Sequence, residues 1–235
     1  MKKLEQLHIM QNGAGGPVIF WGMYPHRANE VEHLWDSLME LIPKQNFLLV
    51  AFQVEDWNRD FSPWKAPAAF GTEGFSGQGA ETLSWLTEQC IPYIDQTFDT
   101  KEQEHWIVGY SLAGLFALWA AYESDAFSGV ACCSGSLWFQ DWDKYVKENA
   151  LKRRCCIYLS LGGKEEMTKN RVMATVGDRT REQKKILEKD PMTDQIILEW
   201  NPGGHFSDAG KRLAKGIRWL FETKIVVGEN IEHDI

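Results

Sequence analysis

One serine in this sequence stands where a hydroxyl can be made reactive. It is Ser111, in the run Gly109-Tyr110-Ser111-Leu112-Ala113-Gly114, with an apolar strand-like stretch before it and an apolar helical stretch after it. A tight strand-to-helix turn of this kind lifts a serine oxygen above the edge of a sheet, a nucleophile elbow. Small residues must flank the serine because the two backbones approach closely. Gly109 fills the first small position, and Ala113, with Gly114 beside it, fills the second. A serine hydroxyl is a weak nucleophile near neutral pH and needs an adjacent base.

Histidine is the usual base, because its pKa of about 6.5 lies near the working pH. The chain has six: His8, His26, His33, His105, His205 and His233. His8 and His233 lie near the ends, His33 faces away from the apolar stripe of its helix, and His105 begins a strand at the end opposite Ser111. His26 follows the first apolar run and could enter a site there. His205, in Pro202-Gly203-Gly204-His205-Phe206, follows the last strand, where glycines allow a turn that aims the ring back across the strand ends. It is the expected base. A carboxylate must hold the imidazole, and on this kind of fold the chain order is serine, acid, histidine. The strand that ends at Leu161 leads into Gly162-Gly163-Lys164-Glu165-Glu166. Glu165 is the preferred acid, with Glu166 the alternative, and Asp141, Asp143 and Asp178 further off.

The chemistry also needs two preorganised N–H donors for a developing oxyanion. The residue after the nucleophile, Leu112, supplies one. The other is expected from the loop after the first apolar strand, at Met23 or Gly22. Nothing in this set calls for a metal or an organic cofactor.

The elements that would position these groups alternate along the chain. Strand-like runs lie at 17–21, 46–54, 105–109, 127–133, 155–161 and 195–200, and helix-like runs at 29–42, 80–98, 112–122, 141–149 and 206–220. Pro92 is expected to kink or break its helix near Cys90, since it lacks a donor and clashes one turn back. Residues 167–190 are polar and helix-prone. Continuous apolar strands alternating with helices imply an α/β fold with a mainly parallel central sheet and helices on both faces. Ligands of such sheets bind at the carboxyl ends of the strands. The expected organisation is a single domain over 1–235, with an aromatic active-site loop at 55–80 and a tail at 223–235.

Composition narrows the partners. The 235 residues carry a net charge of −8, with no basic cluster longer than Lys152-Arg153-Arg154, so a nucleic-acid surface is not expected. No apolar run approaches the roughly 18 residues of a spanning helix, and no apolar segment follows Met1-Lys2-Lys3. Cys90, Cys132, Cys133, Cys155 and Cys156 match neither a zinc site nor a redox pair and read as reduced core residues of a cytoplasmic protein. The chain is rich in aromatics, with 11 Trp, 12 Phe and 6 Tyr. Trp35, Trp106, Trp119 and Trp219 fall on elements and are expected in the core. Trp57 and Trp64 of the long loop, with Trp138 and Trp142 after Ser134-Gly135-Ser136, are expected at the Ser111 edge. Trp57, Trp64, Tyr110 and Trp138 form the expected substrate-binding set.

Four stretches carry a resemblance to a known family: Ser62-Pro63-Trp64-Lys65-Ala66-Pro67, Cys90-Ile91-Pro92-Tyr93-Ile94-Asp95, Val108 to Phe116, and Asn201-Pro202-Gly203-Gly204-His205-Phe206. Over about residues 15–222 the chain resembles the α/β-hydrolase-fold serine esterases, in the branch of the esterase D-like enzymes and siderophore trilactone esterases. The resemblance implies a serine hydrolase of small-molecule carboxylic esters with Ser111, Glu165 and His205 as its triad. The trilactone esterases hold a large catecholate with basic residues, whereas the 55–80 loop here offers only Arg59 and Lys65. Acyl transfer or thioester cleavage with the same triad, or a non-catalytic ligand-binding module, are the other readings. A fluorophosphonate probe that reacts with activated serines distinguishes the last from the rest.

Overall fold

The central apolar runs form strands because each is buried on both faces, and their alternate side chains enter two separate cores. In the computed structural model, which describes residues 4–24 and 29–231, the chain begins with β1 (His8–Asn12), β2 (Val18–Met23), α1 (Asn29–Leu41) and β3 (Phe47–Gln53). The segment that follows carries α2 (Trp57–Asp60), β4 (Lys65–Ala66), β5 (Phe75–Ser76), α3 (Gly79–Trp85) and α4 (Ile91–Phe98). The centre is β6 (His105–Tyr110), α5 (Leu112–Glu123), β7 (Gly129–Cys133), α6 (Trp142–Glu148) and β8 (Cys155–Gly162). Then come α7 (Val176–Leu187), β9 (Thr193–Asn201) and α8 (Ala209–Ile231).

The main sheet has the order β1-β3-β2-β6-β7-β8-β9. All neighbours are parallel except β1, which pairs antiparallel with β3 from His8↔Ala51 to Asn12↔Phe47. Val18 and Phe20 of β2 face one core, with α5 and the α3–α4 region; Ile19 and Trp21 face the other, with α1 and α8. The period of two along a strand produces this division. β6 lies at the centre of the sheet, so the residue at its carboxyl end is flanked by strands on both sides.

Several sequence expectations change here. β1 was not expected: it is short, at the sheet edge, and none of its residues is fully buried. The segment 55–80 is not one irregular loop but carries α2 and the small β4–β5 ladder. Pro92 does not end its helix, and the irregularity expected near Cys90 takes the form of a wider turn. The turn before it, Leu86–Cys90, widens to a π-helical turn in which the Ile91 N–H reaches back to the Leu86 carbonyl. The wider turn accommodates a residue with no donor, and α4 runs on directly. The expected tail is helical up to Ile231, because α8 extends well past residue 220.

Candidate active site

The elbow is built by strain and by the absence of a side chain. Ser111 has φ 58° and ψ −122°, a conformation that costs a non-glycine residue roughly 1–3 kcal/mol and persists only where the surroundings enforce it. Three backbone bonds enforce it: Ser111 N–H to Cys133 O at 3.0 Å, Leu115 N–H to Ser111 O at 3.1 Å, and Ser136 N–H to Ser111 O at 3.1 Å. Gly109 has no room for more than a hydrogen, since a Cβ there would lie 2.1 Å from the Ala113 carbonyl oxygen.

The structure brings the three expected groups together from β6, the turn after β8 and the turn after β9. His205 Nε2 lies 3.0 Å from Ser111 Oγ, and His205 Nδ1 lies 2.7 Å from Glu165 Oε2. A carboxylate only accepts, so Nδ1 carries the proton and Nε2 presents a lone pair to the serine hydroxyl. Burial raises the Glu165 pKa, but hydrogen bonds from His205, Ser134 and the Gly162 N–H outweigh it and hold the carboxyl below its ordinary range. Glu166 points elsewhere and makes two bonds to Arg181, at 3.0 and 3.1 Å. Asp141 pairs with Lys144, Asp143 with Arg179 and Asp178 with Arg181, all outside the site. His105 bonds Asp95 at the far end of β6, and His8 bonds Gln53. His26 and His233 lie outside the described residues.

Leu112 opens α5, so its N–H is among the first amides of a helix, which have no acceptor within it. The ladder between β2 and β6 ends at Trp21↔Val108, while β2 stays paired with β3 as far as Met23↔Gln53. Gly22 and Met23 therefore lie past the last β2–β6 pair, on the strand beside the elbow.

The aromatic expectations divide. The half-buried Trp57 meets the exposed Tyr24, next to Met23, with ring centroids 5.0 Å apart and the planes tilted by 36°. Half-buried Trp138, two residues after Ser136, contacts Phe75 and Phe139. Trp64 is different. Its indole N–H donates to the Gln140 carbonyl at 2.9 Å and its ring packs on Phe139, Trp142 and Tyr145, so it braces α6 rather than offering a free face to a substrate. Trp142 is not at the edge at all. It is 1% exposed and donates to Gln183 Oε1 at 2.9 Å, deep in the core. The Tyr110 hydroxyl is engaged by the scaffold: it donates to the His205 carbonyl at 2.7 Å. Phe206, by contrast, is 95% exposed, and its ring meets His205 edge-on at 5.1 Å.

Two polar residues of the site were missed. Ser134 Oγ donates to Glu165 Oε1 at 2.7 Å, and Arg212 of α8 reaches the same oxygen at 3.0 Å. Ser134 sits at a strand end that the sequence does mark. Arg212 carries no signal, being one of several basic residues, among them Lys211, Lys215 and Arg218, along an amphipathic helix. Among the described residues no group of three or more His, Cys, Asp or Glu is placed to hold a metal ion.

Residues 13–195 match the family described as Putative esterase. The chain belongs to that family. Membership places it among the carboxylic ester hydrolases. No curated protein matches it significantly. Solved structures share this esterase's fold. An IroE-like serine hydrolase from Shewanella oneidensis superposes with a TM-score of 0.77 at 18% identity, over 92% of this chain and 75% of that one. Siderophore hydrolase EstA from Aspergillus nidulans gives 0.71 at 14% identity, over 94% and 95%. Enterochelin esterase from Shigella flexneri gives 0.70 at 15%, over 93% of this esterase but 55% of that chain. Among the described residues, no helix is long and apolar enough to cross a membrane.

Proposed function

We propose that the protein cleaves a small carboxylic ester through an acyl-enzyme on Ser111, with His205 as the base and Glu165 as the group that orients it. The observation that carries this is the continuous line from Ser111 Oγ to His205 Nε2 at 3.0 Å and from His205 Nδ1 to Glu165 Oε2 at 2.7 Å. His205 Nε2 takes the Ser111 proton as Oγ bonds to the ester carbonyl carbon. The carbonyl electron pair moves to oxygen, and that oxyanion is held by the Leu112 N–H and by an amide at Gly22 or Met23. The imidazolium returns its proton to the leaving alcohol as the C–O bond breaks. Water then attacks the acyl-enzyme by the same route in reverse, and Glu165 stays ionised throughout.

The walls favour an uncharged, apolar acyl group. Trp57, Trp138 and exposed Phe206 flank the site, whereas Arg59 of the same region is held by Asp60 and Glu55. The siderophore hydrolases and the enterochelin esterase share the fold, but this chain's loop has no free basic cluster for a large catecholate. The five cysteines are all buried and pack as small apolar side chains.

A fluorophosphonate probe and p-nitrophenyl butyrate test the reading together. Wild type should be labelled stoichiometrically and lose its activity in step, and Ser111→Ala should do neither reaction. A folded wild type that takes no label would make this a binding module. Turnover by Ser111→Ala at the wild-type rate would sink the mechanism.

A further inference from the structure

The most deeply buried cation near the site belongs to no step of the mechanism above. Arg212 is 2% exposed, and its guanidinium reaches five acceptors. Nη1 lies 3.0 Å from Glu165 Oε1, 2.9 Å from Ser134 Oγ and 3.1 Å from Tyr110 Oη. Nη2 lies 2.9 Å from the Pro202 carbonyl and 2.9 Å from the Gly204 carbonyl. A buried arginine carries a large desolvation cost and holds its place only when its donors are satisfied. Here the acceptors fall into two groups. One is the carboxylate with its Ser134 partner. The other is the turn 202–205 that carries His205, reached directly through two carbonyls and again through the Tyr110 hydroxyl.

We propose that Arg212 is a positioning residue that locks the acid and the base of the triad in register, with Ser134 and Tyr110 as its two arms. The proposal rests on the reading of Ser111, His205 and Glu165 as the reacting set. Its geometric core is the asymmetry of the Glu165 carboxylate. Oε1 accepts from Gly162 N–H at 2.7 Å, from Ser134 Oγ at 2.7 Å and from Arg212 Nη1 at 3.0 Å. With Oε1 so occupied the carboxylate cannot rotate, and Oε2 is left aimed at His205 Nδ1. The Tyr110 arm acts on the base: its hydroxyl accepts from Arg212 and donates to the His205 carbonyl at 2.7 Å. The planar fork of a guanidinium can serve both arms at once, which a lysine ammonium cannot.

The charge has a separate consequence. A fixed cation 3.0 Å from Glu165 Oε1 disfavours adding a proton to the site. The other titratable groups facing this cluster do not substitute for it. Tyr110 and Cys133 are each pushed by burial to about 12 and stay neutral. Glu199 is paired with Lys215, and Glu166 with Arg181. Asp208 lies one turn before Arg212 in the chain and accepts the Arg212 N–H through its backbone carbonyl.

The test uses the full chain, with kcat normalised to sites titrated by the fluorophosphonate probe, so that unfolded protein does not count. Arg212→Gln should lower kcat per titrated site roughly ten- to a hundredfold with KM changed less than about threefold, as expected when reacting groups are misplaced rather than substrate binding lost. It should also move the acid limb of kcat/KM up by about one pH unit, the size expected for losing one charge at this range. Arg212→Lys should keep the limb in place and still lose kcat. Tyr110→Phe, which removes one hydroxyl and folds on the same ring packing, should lose kcat several-fold with no limb shift. Unchanged kcat per site and an unmoved limb in Arg212→Gln would overturn the assignment and leave the triad reading intact. If Arg212→Gln fails to fold, unchanged kcat per site in both Arg212→Lys and Tyr110→Phe overturns it. A wild type that takes no label at Ser111 overturns both.

Discussion

Glu165 Oε2 lies 2.7 Å from His205 Nδ1, and the partner oxygen Oε1 is bound by Gly162, Ser134 and Arg212. The carboxylate therefore addresses the imidazole with one oxygen and the scaffold with the other. Glu165→Gln keeps the shape but can turn an amide N–H toward the ring, which selects the wrong tautomer. On the precedent of such changes in serine triads, kcat should fall by about 10⁴. Glu166→Gln removes only a half-exposed pair with Arg181 and should stay within about twofold, the range of surface ion pairs. Steady-state rates on p-nitrophenyl butyrate decide between the neighbours; equal losses would mean that the acid is misassigned.

The same carboxylate should mark the pH dependence of stability. Its folded pKa is below its unfolded value, so the folded state favours the ionised form. The contribution is fully present above about pH 4.3, the unfolded value, and disappears as pH falls from there through the lower folded pKa. Glu165→Gln lacks that contribution and leaves Arg212 without its counter-charge, which should cost about 3 kcal/mol at pH 7. Urea midpoints of the two proteins should converge as pH is lowered from 7 toward 3. A gap that stays constant over that range would show that Glu165 is not held ionised by the fold.

The close approach at the elbow makes a third expectation. Gly109→Ala would drive a Cβ to 2.1 Å from the Ala113 carbonyl oxygen, against two backbones that cannot both retreat. Little folded protein should be recovered. Gly210→Ala is the control: it lies in the first turn of α8 with nothing within 4 Å of a new Cβ. It should be neutral or stabilise by up to about 1 kcal/mol, seen as an unchanged or raised Tm. A well-folded Gly109→Ala protein would mean that the elbow is looser than the structure indicates.

Which parts were legible in the sequence follows from where each signal resides. Ser111 and His205 announce themselves through local chemistry, small residues about a tight turn and glycines before an imidazole. The central parallel strands are legible because both faces are buried and the runs are continuous. Glu165 and Glu166 are identical side chains one residue apart, and the choice between them is made by Ser134, Gly162 and Arg212, which come from three other places in the chain. Arg212 has no local signature at all, since its burial is created only when α8 packs under the 202–205 turn. At Pro92 the helix continues because the preceding turn is a residue wider than the α-helical spacing that the proline rule assumes. β1 is half-exposed and short, so its alternation is too weak to separate from a loop.

The aromatic side chains give the last prediction. Trp64 and Trp138 both lie in the region expected to wall the site, but their surroundings differ. The Trp64 N–H is bonded to Gln140 and its ring braces Phe139, Trp142 and Tyr145, so Trp64→Ala opens a void under α6. Trp64 is half-buried, so its truncation should cost less than the roughly 3–5 kcal/mol of a fully buried tryptophan, yet Trp64→Ala should still lower Tm while kcat/KM per titrated site changes little. Trp138 is half-buried beside Ser136 and Leu137, with contacts on Phe75 and Phe139. Trp138→Ala should cost less stability and instead change the ranking of p-nitrophenyl esters from acetate to octanoate, because part of the apolar wall against the acyl chain is gone. Melting curves and an ester series on both variants separate the roles. Should Trp64→Ala reorder the series while melting like wild type, its ring would have to face substrate after all, and the packing around α6 would need another explanation.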